Sequence, residues 1–296
     1  MEQAVAEGHR DDSGATTPLV LTIQQCASFR ENGFLFVPKI TTADDLARIA
    51  TVYDRAFAQK LGWKDGNYFD LVGSSEDVDE FQIPHLQQIS HYCPELLTTR
   101  YFSNAAAIAA QLLGGRAKHI YDSAITKPPK SHAETPWHQD AAFITETSYF
   151  ESLAVWMPLQ PADQTNGCMS FIPGSHRGPI VAHRSPYGDN RINGLEAIDF
   201  DKSNAVTCPV PAGGATFHHF RTLHGAGGNY SASPRRVLTF GFGIRRANPT
   251  IVGTFDWITA KDNERLHRYR SNRPIDKVRR LVRPYANRIM MVLDGW

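Results

Sequence analysis

No two of the four cysteines (Cys26, Cys93, Cys168, Cys208) stand in CxxC spacing. By pattern this excludes a disulfide framework and a zinc knuckle, and it favours a reducing, cytoplasmic setting. No apolar run approaches the roughly 18 residues that a membrane-spanning helix requires, so no membrane partner is expected. Neither sign of charge dominates: a net charge of +1 over 296 residues gives no global reason to expect nucleic acid. The opening MEQAVAEGHRDDSGATTP lacks a basic start followed by an apolar stretch, so it does not read as a signal peptide. Its Ala, Gly, Asp and Thr content predicts a disordered lead-in over residues 1–18. Internal repeats are also missing, so no repeat architecture is expected.

What is there suits a soluble globular protein: 42% apolar and 21% charged residues. Residues 19–296 are expected to form one domain, with a helical part at 19–115, a β core at 116–250 and a basic helical segment at 251–296. Thr22 is placed to cap a helix that Gly33 ends, and Thr42 to cap an amphipathic helix with Leu46, Ile49, Ala50, Tyr53 and Phe57 on one face. Residues 62–82, rich in Gly, Asp and Ser, read as an exposed loop, and Phe102–Leu113 reads as a further helix. From Lys118 the texture changes to short strand-like runs: 119–126, 153–159, 168–172, 205–210, 215–220 and 237–244. Asn166-Gly167 and Pro173-Gly174 punctuate them as tight turns. Short strands at this spacing suggest an antiparallel sandwich or barrel. The fold expected is mainly β with flanking helices, around a double-stranded β-helix of jelly-roll or cupin type. The stretch from Glu264 to Arg288 sets nine basic residues against two acidic ones, which reads as a solvated helix face, a subunit contact or an anion-attracting lid.

The chemical signal is Trp137-His138-Gln139-Asp140. On an extended backbone, residues two apart project to the same side, so one imidazole and one carboxylate can reach one ion. A second histidine far along the chain would complete two histidines and one carboxylate on one face, leaving the other face of the ion open, as in non-haem iron(II) oxygenases. HxD alone is common, and an isolated pair reads as a turn. His218, His219 and His224 are the candidates for the second histidine. The first two lie in a strand-like run, where one faces inward and one outward; His224 precedes a Gly-Ala-Gly-Gly-Asn turn. Arg235 follows eleven residues after His224, at the start of the next strand. A guanidinium there could fork onto a carboxylate, whereas Arg236 would face the other way.

Together PWHQDAAF, SLAVWMPLQPADQTNGCMSFIPGSH and HGAGGNYSASPRR resemble the phytanoyl-CoA dioxygenase family of iron(II)/2-oxoglutarate-dependent oxygenases. The likeness runs from Thr22 to about Arg246. It implies iron ligands at His138, Asp140 and His224, a 2-oxoglutarate anchor at Arg235 and a cosubstrate-pocket wall at Trp156. Ser123, fifteen residues before His138, and Gln139 are further candidate cosubstrate contacts. Lys127 stands where some relatives also carry Lys, with no role assigned. Ala226 departs from the Ser found in relatives two residues after the distal His, which removes one hydroxyl contact worth about 1 kcal/mol. Gly213-Gly214 replaces their Gly-Asp. Asp140 itself argues against halogenation, since halogenating relatives have Ala or Gly there.

The resemblance implies Fe(2+), with 2-oxoglutarate and O2 as cosubstrates, succinate and CO2 as products, and oxidation of a substrate C–H bond. Hydroxylation is the expected outcome, with desaturation, cyclisation or rearrangement as the alternative. A zinc-dependent hydrolase or a catalytically silent barrel are the rival readings. The expected partner is a small organic, natural-product-like or lipid-like substrate, and a homodimer is the candidate assembly. Phe143, Gln87, His132, Tyr68 and Arg191 are the candidate substrate residues.

Overall fold

A computed structural model describes residues 19–144, 148–250, 255–262 and 264–271. The expected lead-in and most of the basic segment lie outside the described residues. Helix α1 (Ile23–Asn32) starts as its sequence requires. The Thr22 hydroxyl accepts from the Gln25 amide at 3.1 Å, and the Gln25 side chain accepts from the Thr22 amide at 2.8 Å. Gly33 closes the helix at φ 80°, in the left-handed region. Strand β1 (Phe34–Val37) and helix α2 (Ala43–Ala58, capped by Thr42) follow. Next come β2 (Tyr68–Asp70), β3 (Pro84–Gln87), the short α3 (Ile89–Tyr92) and α4 (Arg100–Leu113).

The β core then runs β4 (Lys118–Lys127), β5 (Thr135–His138), β6 (Ser148–Pro158), β7 (Met169–Phe171), β8 (His183–Arg184), β9 (Glu196–Ala197), β10 (Val206–Cys208), β11 (Ala215–His219), β12 (His224–Ala226) and β13 (Arg235–Thr250). Short helices α5 (Asp256–Thr259) and α6 (Glu264–Ser271) end the described chain. No described helix is long and apolar enough to cross a membrane. The main sheet has the order β1-β11-β6-β13-β4-β3-β2, and a smaller sheet the order β10-β7-β12-β5. This is the expected jelly roll with a helical flank.

Alternation along the strands decides what each face meets. Leu153, Val155 and Met157 of β6, with Leu238, Phe240 and Phe242 of β13, pack outward against Ile49, Tyr53, Tyr101, Ile108 and Leu112 of the helices. Burying this many large apolar side chains is the main stabilising term. Tyr101 pegs α4 onto the sheet: its hydroxyl lies 3.1 Å from both the Val155 and Leu238 carbonyl oxygens. The opposite faces of the same strands turn toward the smaller sheet. Trp156 and Val237 pack there with Met169, Phe171, Cys208 and Ala226, and Phe34 stacks on Phe171 at 4.6 Å.

The expected loop at 62–82 needs correction, because it contains β2. Asp70 holds the segment together: its carboxylate accepts from the backbone amides of Val72, Gln82 and Ile83. A strand built around a buried carboxylate carries no apolar alternation. The expected solvated basic face is corrected in part as well. Arg265 lies over the Phe69 ring at 4.1 Å and Arg268 over the Trp63 ring at 3.9 Å, so both cations cover aromatic surface.

Candidate metal centre

Strand β5 delivers His138, and the backbone stays extended through Gln139 (φ −116°, ψ 128°) before turning at Asp140. His138 and Asp140 therefore share a side, and Gln139 faces away. Strand β12 pairs with β5 so that His224 is the cross-strand partner of His138, with a register shift before Ala226. One ligand atom from each of His138, Asp140 and His224 falls within 4.8 Å of the other two. Asp140 Oδ1 lies 3.6 Å from Nε2 of His138 and 3.6 Å from Nε2 of His224.

The donor set fits a divalent ion of the non-haem iron kind. His138 Nδ1 donates to the Pro136 carbonyl at 2.7 Å, and His224 Nδ1 donates to the Thr222 carbonyl at 2.8 Å. Each bond fixes the tautomer and leaves an Nε2 lone pair aimed at the cluster. Burial and the neighbouring His138 and His218 hold the His224 imidazole well below its ordinary value, in the unprotonated form a metal needs. Burial alone would raise the Asp140 carboxyl, but His224, His138 and His218 outweigh it and hold it well below the carboxylate range.

Arg235 lies on the inner face of β13, fully buried. Burial pushes its guanidinium down to about 10, so it stays charged near neutral pH. Among the described residues no carboxylate pairs with it and its Nε has no hydrogen-bond partner; its guanidinium lies 5.6 Å from the centre of the Trp156 ring. Its register partner on β4 is Lys127, a second buried cation. Lys127 Nζ donates to the carbonyls of Ala133 and Ala226, both at 3.1 Å, and to that of Gly227. Lys127 is thus satisfied and Arg235 is not. A buried cation without a counter-ion costs several kcal/mol, on the order quoted for an unpaired buried charge. The surroundings of Arg235 beside Trp156 therefore have the chemistry to take an anionic group. The hydroxyls of Thr216 and Thr239, register partners of Trp156 on either side, are also buried with no hydrogen-bond partner among the described residues.

Ser123 lies buried on the inner face, in register with Thr239 and Gln87. Phe143 is exposed and meets the His138 ring edge-on at 5.8 Å. Gln139 requires correction: its side chain donates to the Pro179 and Arg221 carbonyls and accepts from Val181 N. With every polar atom used on the far side of the strand, it holds the loop and not a cosubstrate. Tyr68 is corrected too, since it packs in the helical core against Phe57 and Phe81, and Phe69 takes the opposite face beside His85. His132 is exposed against Tyr230, and Arg191 is exposed and paired with Asp189 at 2.7 Å. Two residues take parts that the sequence did not assign them: Lys127 was given none, and His218 was a candidate for the second ligand histidine. Lys127 clamps the turn after His224 to the loop before β5. His218 reaches Asp140 directly, with Nε2 3.3 Å from Oδ2; the inward parity of one histidine in ATFHH was the signal for it.

Comparison with known proteins agrees with this geometry. The family model described as phytanoyl-CoA dioxygenase (PhyH) matches residues 29–237. A probable alpha-ketoglutarate-dependent hypophosphite dioxygenase of Stutzerimonas stutzeri is 36% identical over 143 residues, which is 46% of this chain and 49% of that protein. The match thus spans about half of that relative's length. The peroxisomal phytanoyl-CoA dioxygenase of Bos taurus is 26% identical over 242 residues, covering 75% of this chain and 68% of that one. Among solved structures, EvdO2 of Micromonospora carbonacea var. aurantiaca, complexed with 2-oxoglutarate, superposes with a TM-score of 0.67 at 30% identity, covering 83% of this chain and 99% of that one.

Proposed function

The chain belongs to the phytanoyl-CoA dioxygenase family of iron(II)/2-oxoglutarate-dependent dioxygenases, and from that premise we propose that it oxidises a C–H bond of a small organic molecule, with hydroxylation as the outcome. The observation that carries the reading is a buried arginine beside Trp156, with no carboxylate partner among the described residues, in a fold that also gathers a two-histidine, one-carboxylate cluster. A hydrolytic zinc site needs the cluster but has no use for the arginine.

His138, Asp140 and His224 would hold the iron on one face. Arg235 would receive the far carboxylate of 2-oxoglutarate in a charge-assisted fork. Trp156 supports one side of that pocket, and the Thr216 and Thr239 hydroxyls offer contacts where Ala226 offers none. When bound, iron with 2-oxoglutarate and O2 supplies the oxidising equivalents, releasing succinate and CO2. The protein's part is to orient both substrates and to exclude water.

On the substrate side, the wall formed by Gln87, Ser123, Tyr121 and His85 is polar. The Tyr121 hydroxyl lies 3.4 Å from His85 Nε2, and burial pushes the His85 imidazole down to about 3, so it faces the pocket uncharged. With Phe143 beside His138, this wall favours a substrate that carries oxygen functions on an apolar frame. The four unpaired thiols suit a reducing compartment, and we assign the protein to the cytoplasm.

The test is an anaerobic titration of iron-loaded protein with 2-oxoglutarate, read as a weak visible charge-transfer band, followed by succinate release and O2 uptake. The band should saturate in the wild type and be lost in Asp140→Ala. A wild-type protein that binds iron yet gives no band and no succinate would sink the reading.

A further inference from the structure

Strand β11 reads Ala-Thr-Phe-His-His, and its alternation splits the two histidines. His219 faces out and contacts Glu151. His218 faces in, between Phe34 on β1 and Ala154 on β6, and is almost fully buried. Its ring centre is 4.3 Å from that of His224 and 5.4 Å from that of Phe171. It is not one of the three residues whose ligand atoms cluster. Its Nε2 instead points at the outer oxygen of the carboxylate ligand, 3.3 Å from Asp140 Oδ2.

The two carboxylate oxygens of Asp140 thus have different neighbours. Oδ1 faces Nε2 of both ligand histidines at 3.6 Å, and Oδ2 faces His218. The imidazole hydrogen can be located from the surroundings. His218 Nδ1 is buried and has no hydrogen-bond partner among the described residues. A hydrogen on Nδ1 would be an unsatisfied buried donor, and it would also turn the Nε2 lone pair against a carboxylate oxygen. Both costs vanish when the hydrogen is on Nε2, which then donates to Oδ2.

We propose that His218 is a positioning residue that holds Asp140 in one rotation, so that the carboxylate reaches iron through Oδ1 alone. The inference rests on the metal reading above. A carboxylate free to rotate can offer both oxygens to one ion and occupy a coordination position that 2-oxoglutarate and O2 need. His218 prevents this by engaging the second oxygen, and packing of its ring against His224 and Phe171 keeps it from following a rotated Asp140.

The experiment compares wild type, His218→Gln, which can keep an N–H donor, and His218→Phe, which fills the space without one. The probe is cobalt(II), titrated in competition with a chelator and followed by its visible d–d spectrum. Removal of a group supporting a metal ligand typically weakens binding about 10- to 100-fold, so His218→Phe is expected to lose at least about tenfold in cobalt affinity and to shift the d–d bands. His218→Gln should recover most of both. Wild-type affinity and an unshifted spectrum in a folded His218→Phe protein would overturn the proposal. Wild type that binds no cobalt would instead overturn the metal reading, so the two failures are distinct. If the Phe variant does not fold, the nitrogen-15 spectrum of zinc-loaded wild type decides. A third imidazole with its hydrogen on Nε2 supports the assignment, and one with its hydrogen on Nδ1 refutes it.

Discussion

Two buried cations stand side by side on adjacent strands and behave differently. Lys127 Nζ is met by three backbone carbonyls, whereas Arg235 has no carboxylate among the described residues and an unpartnered Nε. Arg235 therefore strains the protein until an anion arrives. Arg235→Met is expected to raise the melting temperature of the ligand-free protein or leave it unchanged, because an uncompensated buried charge is removed. The same variant should lose the upward shift that wild type gains on adding 2-oxoglutarate, and its affinity should fall by about 2–5 kcal/mol, the cost of truncating one partner of a buried charge pair. Differential scanning fluorimetry with and without 2-oxoglutarate reads both. A 2-oxoglutarate-induced shift that survives in Arg235→Met would remove Arg235 from the pocket. Lys127→Met has the opposite sign. It abandons the Ala133, Ala226 and Gly227 carbonyls and unclamps the two ligand strands, so a loss of about 2–4 kcal/mol is expected in urea unfolding.

At the scale of elements, the short C-terminal pieces act on the metal turn from outside. Trp257 of α5 donates its indole N–H to the Ala142 carbonyl at 3.1 Å, in the turn that carries Asp140. Its ring lies 5.4 Å from His183, whose Nε2 accepts from the Gln139 amide at 3.2 Å. Lys261 donates to the Ile192 and Gly194 carbonyls, both at 2.6 Å, and Arg265 donates to the Gly66 carbonyl at 2.9 Å. Trp257→Ala should therefore weaken metal binding several-fold as well as cost stability. Equal metal affinity in wild type and variant would show that the segment only covers the surface. None of this was legible in the sequence, because the pairing of Arg265 with Phe69 or of Trp257 with Ala142 is made by tertiary structure alone. Where a strand is a largely apolar run between turn signals, as at 153–159 in β6 and 237–244 in β13, the run itself marked it. Strand β12 did not show itself: three residues between turns carry no period, and only the HGAGG motif marked His224. Strand β2 was hidden for another reason, since its organising residue is the carboxylate of Asp70.

The whole molecule buries several histidines that its unfolded chain would expose, and this sets its response to acid. His85 lies between β2 and β4, tilted against Phe69, with its pKa pushed down to about 3 by burial first and by the Arg265 charge second. In the unfolded chain it returns to an ordinary value near 6.5. Below pH 6.5 the unfolded state takes up a proton that the folded state refuses. The unfolded state then binds more protons, so stability rises with pH in that window. His85 thus costs the fold nothing above pH 6.5, and the fold loses stability steadily as pH falls from 6.5 toward about 3. The ligand histidine His224 adds to the same slope in metal-free protein, so the measurement belongs in chelator and must be differential. Urea unfolding of wild type and His85→Leu at pH 7.5, 6, 5 and 4.5 isolates the contribution of this one ring. The variant loses the Tyr121 contact and so starts lower at pH 7.5, but its stability should decline less steeply with acid, and the two curves should converge. Parallel curves across the series would mean that His85 is protonated in the fold, and the uncharged substrate wall proposed beside the metal would fall with it.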